Sequence, residues 1–519
     1  MSLKEESYLD VSLRKIAKGA GIVLFGTLIG RAFGYGSRMV IARFLGVNNY
    51  GLISLGFAAL TIAASISAIG LPEGVTRYVS FYKGKEDNER IKGTILSAIK
   101  MNLPISIVFF IFLFFGADWI SIHFFHDLKL TPVLRIFSIG IPFLVLARDL
   151  LSATVGFQKM EYNVYTDQVT QEVLKLIGII ALVSLGFNVI GAAWGWILGT
   201  LSMPFLAFYF LEKKVFPVFK TNIKAISTEK ELFMFSWPLI FTSIAGMVMG
   251  FMDTLMLGYF CTSYEVGIYN AALPTAILIR LFPGSIVAIY MPVITELYAR
   301  EKYNDLKDAY SVVIKWVLSL AFPAFVLMVL FSDNILLLLF GTEYMIGAES
   351  MIILAFGFLI SVVLSCSSGV LTAYGRTKIT MGCYLIGSLT NFCLNFYLIP
   401  IYGLKGAAVA TAISSIFMGI LYFISAYYIS NIQPFKKVHL KPIFSSIVTA
   451  LIIYAPIKYL IGDSLIAFIV MFFVFLVVYF FLLLLTKGFD KNDLMVMRAI
   501  YQRLGIRLDW LENIIKKFM

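Results

Sequence analysis

The side chains best suited to chemistry in this chain are basic, and they sit where base is costly. Nine cations fall within or at the edges of long apolar runs: Arg31, Arg38, Arg43, Lys100, Arg135, Arg148, Lys175, Arg280 and Lys315. Lys100, Arg135 and Lys315 lie near run ends, where a long stem lets the charge snorkel to the headgroups. Arg43 is expected at the outer end of the first run. Arg31 and Arg38 are seven residues apart, so they share a helical face, with Tyr35 between them. A central arginine facing hydrocarbon costs at least about 3 kcal/mol. Two on one face therefore imply a water-filled or anion-lined cavity. A guanidinium donates two parallel hydrogen bonds to a phosphate, so the expected chemistry is anion binding.

Other polar groups accompany them. Arg148 is followed by Asp149, and Asp167, Gln168, Gln171, Glu172 and Lys175 make a polar face at three- and four-residue spacing. Two readings stand: Glu172 and Lys175 pair while Asp149 neutralises a neighbouring base, or part of this cluster lines the cavity. Arg280 is bracketed by Pro274 and Pro283. Proline breaks the backbone ladder, which a membrane tolerates where the freed groups face a cavity. Asp253 could bind a coupling cation or a proton, or pair with Arg280. No catalytic constellation is visible. His123, His126 and His439 are scattered, and Cys261, Cys366, Cys383 and Cys393 form neither a CxxC pair nor a framework. No phosphate-binding GxxxxGK[ST] loop exists, so the chain is not expected to hydrolyse ATP itself. The chain is read as no enzyme, with no metal and no cofactor.

These residues must be held by membrane helices. Of 519 residues, 60% are apolar and 14% charged, against about half and about a quarter in an ordinary soluble domain. That nearly excludes a cytoplasmic enzyme. A helix crosses the hydrocarbon core with about 20 apolar residues. Candidates lie near 19–44, 50–71, 94–117, 132–155, 166–186, 189–211, 232–260, 265–290, 311–332, 348–373, 379–400, 404–430, 442–461 and 464–486, which makes fourteen. The runs are continuous rather than alternating, which excludes a β-barrel. The polar stretch Met1–Lys18 argues against a cleavable signal peptide. With the N-terminus inside, the inner segments hold thirty Lys and Arg and the outer loops only Lys129, Lys405 and Lys458. This bias fixes a multi-pass protein of the cytoplasmic membrane with both termini in the cytoplasm. The net charge of +12 is then mostly a topology signal and implies no nucleic-acid partner. Beyond Thr486, apolar residues from Leu494 to Phe518 recur at helical spacing. They suggest an amphipathic helix, either on the inner leaflet or packed under the bundle.

The chain also looks duplicated. Gly51 matches Gly267, Tyr82 matches Tyr298, Pro104 matches Pro323, Asp118 matches Asp333, Gly156 matches Gly375 and Gly191 matches Gly406, at offsets of 215 to 219. Six helices per copy is an even number, so both copies insert alike. The expected architecture is all-α: two parallel six-helix lobes, 1–231 and 232–441, two additional transmembrane helices at 442–486, and a tail at 487–519. Paired lobes with a site near the midplane are a transporter design. In the first run, Gly26, Gly30 and Gly34 repeat every four residues, a close-packing face for a neighbouring helix.

Three stretches carry a resemblance to a known family: Ala42–Leu52 (ARFLGVNNYGL) with Ile69–Pro72 and Thr76–Tyr78; Asp253–Gly258 with Glu265–Ala271; and Tyr402–Thr411 (YGLKGAAVAT). Together they resemble the polysaccharide-unit flippases, within the superfamily of the multidrug and toxin extrusion (MATE) antiporters and lipid II flippases. The resemblance implies a two-lobed bundle with a cationic lumen. It also implies a substrate, an oligosaccharide on polyprenyl (pyro)phosphate, turned from the inner to the outer leaflet by alternating access. Surface polysaccharide or glycoprotein glycan would be built from it, with membrane lipids around the protein and glycosyltransferases and a polymerase of the same pathway as partners. The shared motifs are structural turns and carry no functional residue across. Arg31, Arg38, Arg148 and Arg280 as phosphate ligands, and Asp253, Asp167, Glu172 and Lys175 as ion-coupling or charge-pairing groups, are read from the residues alone. A cation-coupled drug exporter of the same fold is the alternative, and it predicts a cavity richer in acid than base. A membrane glycosyltransferase is the third reading, and the short outer loops argue against it.

Overall fold

The computed structural model describes residues 8–456, 465–488 and 493, with side chains at most positions from Phe25 onward. Every element among these residues is helical. The amphipathic tail expected after Thr486 lies outside the described residues, apart from Lys487, Gly488 and Asp493. The chain divides into two compact units, 1–267 and 268–519. This boundary falls later than the 231/232 division drawn from the repeat.

The first unit begins with α1 (Tyr8–Ser67), broken at Gly46, where φ 77° and ψ 176° interrupt the helix. The break separates the first two expected spans, and glycine reaches this backbone without penalty. Then follow α2 (Leu71–Gly84), α3 (Asn88–His123), α4 (Leu130–Gly156), a π-helical turn (Val164–Thr170) leading into α5 (Gln171–Ser184), α6 (Asn188–Phe210) and α7 (Leu239–Phe260). Asp87 caps α3 by accepting the Arg90 N–H at 3.0 Å, which offsets an unpaired donor of the first turn. Phe112, Phe115 and Trp119 on α3 are exposed, as expected of a face that meets lipid rather than water.

α8 (Ser263–Ile277) carries the chain into the second unit. There a 3-10 turn (Leu278–Arg280) precedes α9 (Leu281–Ala299), α10 (Tyr303–Leu330), α11 (Ala348–Ser365), α12 (Thr377–Ser430), α13 (Leu440–Pro456) and α14 (Leu465–Leu485). α12 holds two expected spans, separated at Gly403 (φ 53°, ψ −129°). Among the described residues the apolar runs fall on helices, with 232–260, 265–290 and 348–373 each crossing a turn between two consecutive helices. Ile453 of α13 and Phe475, Tyr479 and Leu483 of α14 form one buried cluster with Val326, Leu327 and Phe331 at the end of α10. Tyr479 Oη donates to the Ser319 carbonyl at 2.8 Å.

Backbone geometry carries the duplication independently of residue identity. Left-handed positions recur at Glu86 and Glu301, His126 and Gly341, Gln158 and Gly375, and Asn188 and Gly403, offset by 215 or 217 residues. The sequence match of Gly375 with Gly156 is therefore two residues out of place; Gln158 takes the left-handed conformation. Gly51 and Gly267, matched by the repeat, also touch reciprocally inside the first unit. A Cβ on Gly51 would collide with the Ser263 carbonyl, and one on Gly267 with the Val47 carbonyl. Val47 and Ser263 are themselves 216 residues apart, so a local two-fold relates the two segments.

Candidate functional site

The site is assembled on the first half of α1. Its glycine stripe does what the spacing anticipates: Gly26 lies against Val164, Gly30 against the Gln168 backbone and Gly34 against Glu172. Partners advance by four as the glycines do, so α1 and the chain through the π-helical turn into α5 run parallel. Side chains at these three positions would hold the helices apart. The turn itself was not legible in the sequence. A π-helical turn widens a helix locally and often marks a functional site. It carries Asp167 and Gln168. Gln168 Nε2 donates to Asp167, and Gln171, with its amide nitrogen facing Asp167, donates to Oδ1 at 3.1 Å and to the carbonyl at 3.2 Å.

On the stripe beside the glycines, Arg31 is exposed and Arg38 half-buried. Arg38 Nη1 donates to Tyr50 Oη at 3.2 Å, bridging the Gly46 break. Tyr50 is 1% exposed, so one face of the guanidinium is fixed by a rigid partner. Tyr35 and Glu172 lie within electrostatic range of it. Arg148 of α4 donates to Ser65 Oγ at 3.4 Å, with Asp167 and Glu73 in range. Lys175 is buried. It forms an ion pair with Glu172 and stands 4.5 Å from the Trp196 ring centroid.

Three expectations need correction or division. Asp149 does not neutralise a base by direct pairing: Asn102 Nδ2 donates to both of its oxygens, at 2.9 and 3.1 Å. Lys315 does not snorkel. It is buried on α10 and paired with buried Asp493 at 2.5 Å, and Trp316 Nε1 donates to the same carboxylate at 2.8 Å. Glu172 and Lys175 do pair, whereas the arginines differ. Among the described residues, no carboxylate is ion-paired with Arg31, Arg38, Arg148 or Arg280. Asp253 is buried on α7 and engaged with neighbours. Sequence reasoning did not single out Tyr50, Ser65 and Asn102, which hold these groups in place. A neutral polar residue inside an apolar run gives no charge signal.

In the second unit Arg280 ends the 3-10 turn between Pro274 and Pro283. The helix is interrupted where the two prolines placed the break. Its Nη2 donates to Ser361 Oγ at 3.0 Å, and its guanidinium lies 4.1 Å from the Phe358 ring centroid. Its Nε is buried without a hydrogen-bond partner among the described residues. Buried donors are normally satisfied, so an incoming anion or water would find a ready group.

Residues 16–298 match a family described as "Polysaccharide biosynthesis protein". The chain belongs to this family. Residues 238–397 of the chain also match the family described as "MatE". It is 25% identical over 425 residues to an uncharacterized membrane protein of Methanocaldococcus jannaschii, covering 78% of this chain and 83% of that one. It is 28% identical over 218 residues to the Haloferax volcanii protein named "Probable low-salt glycan biosynthesis flippase Agl15", covering 42% of this chain and 46% of that one. Its fold is that of the lipid II flippase MurJ in an inward closed conformation: TM-score 0.73, 18% identity, 91% of this chain and 99% of that one.

Proposed function

We propose that this protein is a flippase. It turns oligosaccharide units linked to a polyprenyl (pyro)phosphate from the inner to the outer leaflet by alternating access, for surface polysaccharide or glycoprotein glycan. The observation that carries this reading is the set of intramembrane arginines: Arg38, Arg148 and Arg280 are each held by a hydroxyl rather than a carboxylate, and Arg31 is exposed on the same stripe as Arg38. A guanidinium positioned by Tyr50, Ser65 or Ser361 keeps its charge for a ligand, whereas Lys175 spends its charge on Glu172. The ligand that suits several forked cations within a membrane is a phosphate whose lipid tail remains in the bilayer. Family membership and the glycan flippase among its relatives support the same class.

In this reading the protein works in the cytoplasmic membrane with both termini inside, and glycosyltransferases and a polymerase of one pathway supply and consume its substrate. The repeat lobes, 1–231 and 232–441, are its moving parts, with 442–486 and the tail appended. The match of residues 238–397 to the MatE family favours drug export as the second reading. Deleting the gene separates the two. Loss of surface glycan without altered drug sensitivity supports the flippase, and drug sensitivity with normal glycan overturns it.

A further inference from the structure

Asp149 is a buried carboxylate of the first unit without an ion-paired base. It lies on α4 at 1% exposure, and among the described residues no Lys, Arg or His pairs with it. Arg148, its chain neighbour, sends its guanidinium to Ser65. The charged groups close enough to act on Asp149 are Arg148 on its own helix and Glu73 on α2, one of each sign. Its hydrogen-bonding partner is Asn102 on α3, which is itself fully buried. Asn102 Nδ2 reaches both carboxylate oxygens, at 2.9 and 3.1 Å, and Asn102 Oδ1 has no hydrogen-bond partner among the described residues.

An ionised carboxylate fits this setting poorly. It offers only acceptors, so it cannot satisfy the orphaned amide oxygen, and a buried charge without a counter-charge is costly. A neutral carboxylic acid fits. Its O–H donates to Asn102 Oδ1 while Asn102 Nδ2 donates to the carbonyl oxygen, which closes a reciprocal acid–amide pair after a small rotation about the amide. Every polar atom of the pair then has a partner. Proton release to water breaks one of the two bonds and leaves a buried anion next to an unsatisfied amide oxygen. The protonated and deprotonated forms therefore prefer different relations between α3 and α4.

We propose that Asp149 and Asn102 form a proton-binding site, occupied once the amide turns Oδ1 onto the acid, through which proton uptake and release couple to the transport cycle. The coupling rests on the flippase reading; the proton occupancy does not. The test is infrared difference spectroscopy of the purified full-length protein in lipid nanodiscs near neutral pH. A protonated-carboxyl C=O band is expected in the wild type. It should be lost in Asp149→Asn, kept in Asp167→Asn, and shifted in Asn102→Leu, which removes the amide without adding charge. An Asp149→Asn spectrum identical to wild type overturns the site. If Asp149→Asn does not fold, the Asn102→Leu shift decides, and an unshifted band overturns the proposal. In proteoliposomes, Asp149→Asn is expected to abolish the pH dependence of lipid-linked oligosaccharide translocation; an unchanged pH profile overturns the coupling. Absence of any translocation by the wild type would count against the flippase reading and leave the spectroscopic result standing.

Discussion

Gly30 of α1 lies directly on the backbone carbonyl of Gln168, in the π-helical turn, so closely that a Cβ would occupy the oxygen's own space. This contact sets the distance between the arginine-bearing helix and the polar face carrying Asp167 and Glu172. Gly30→Ala should destabilise the protein by about 1–3 kcal/mol, because a rigid backbone atom cannot yield. Gly36→Ala, whose Cβ would meet only Leu176 Cδ2 at 3.7 Å, should be near neutral. Thermal unfolding of the two purified variants checks the contrast.

The buried pair Lys315–Asp493 should behave as a unit. Its side chains are 4% and 0% exposed. Lys315→Met alone leaves a buried carboxylate uncompensated and should cost about 3–5 kcal/mol. Lys315→Met combined with Asp493→Leu should recover most of that loss. A single variant as stable as wild type would show that the pair is wet.

His439 sits outside the spans, between α12 and α13. Burial, with Lys315 and Lys436 in range, pushes its imidazole below the ordinary histidine value. Its Nε2 faces the Ser311 carbonyl at 2.9 Å and its Nδ1 accepts the Lys436 N–H at 2.8 Å, an arrangement that suits the neutral ring. The fold thus favours the neutral form. This contribution to stability is fully present above the ordinary pKa of about 6.5 and is lost as pH falls through the lower folded-state value. His439→Gln should flatten the pH dependence of thermal unfolding on the acid side of neutrality and leave it unchanged at pH 8.

Much of this architecture was legible in the residues, because lipid imposes simple rules. Apolar run length marked the helices, four-residue glycine spacing marked the α1 contact face, and two prolines marked the break at Arg280. What escaped depends on distant or neutral partners. Lys315 looked like a snorkelling end residue because Asp493 is 178 positions away. Asp149 looked like the natural partner of some base, and Asn102, an uncharged residue within an apolar run, gave no sign of holding it. Tyr50 sits twelve positions after Arg38, beyond any single-helix periodicity, and only the break at Gly46 brings it back onto the guanidinium. The π-helical turn differs from an α-helix by hydrogen-bond register, which residue spacing does not encode.

The central claim is that guanidiniums inside the membrane, held without an ion-paired carboxylate, bind the substrate phosphate. Translocation of lipid-linked oligosaccharide by Arg31→Ala/Arg38→Ala protein in proteoliposomes, at matched reconstituted amounts, tests it most directly. Loss of charge-assisted hydrogen bonds, each worth about 1.5–3 kcal/mol, should slow translocation at least about tenfold. Lys100→Ala, which breaks a surface pair with Glu229, should leave it unchanged. Wild-type translocation rates in the double variant would contradict the account.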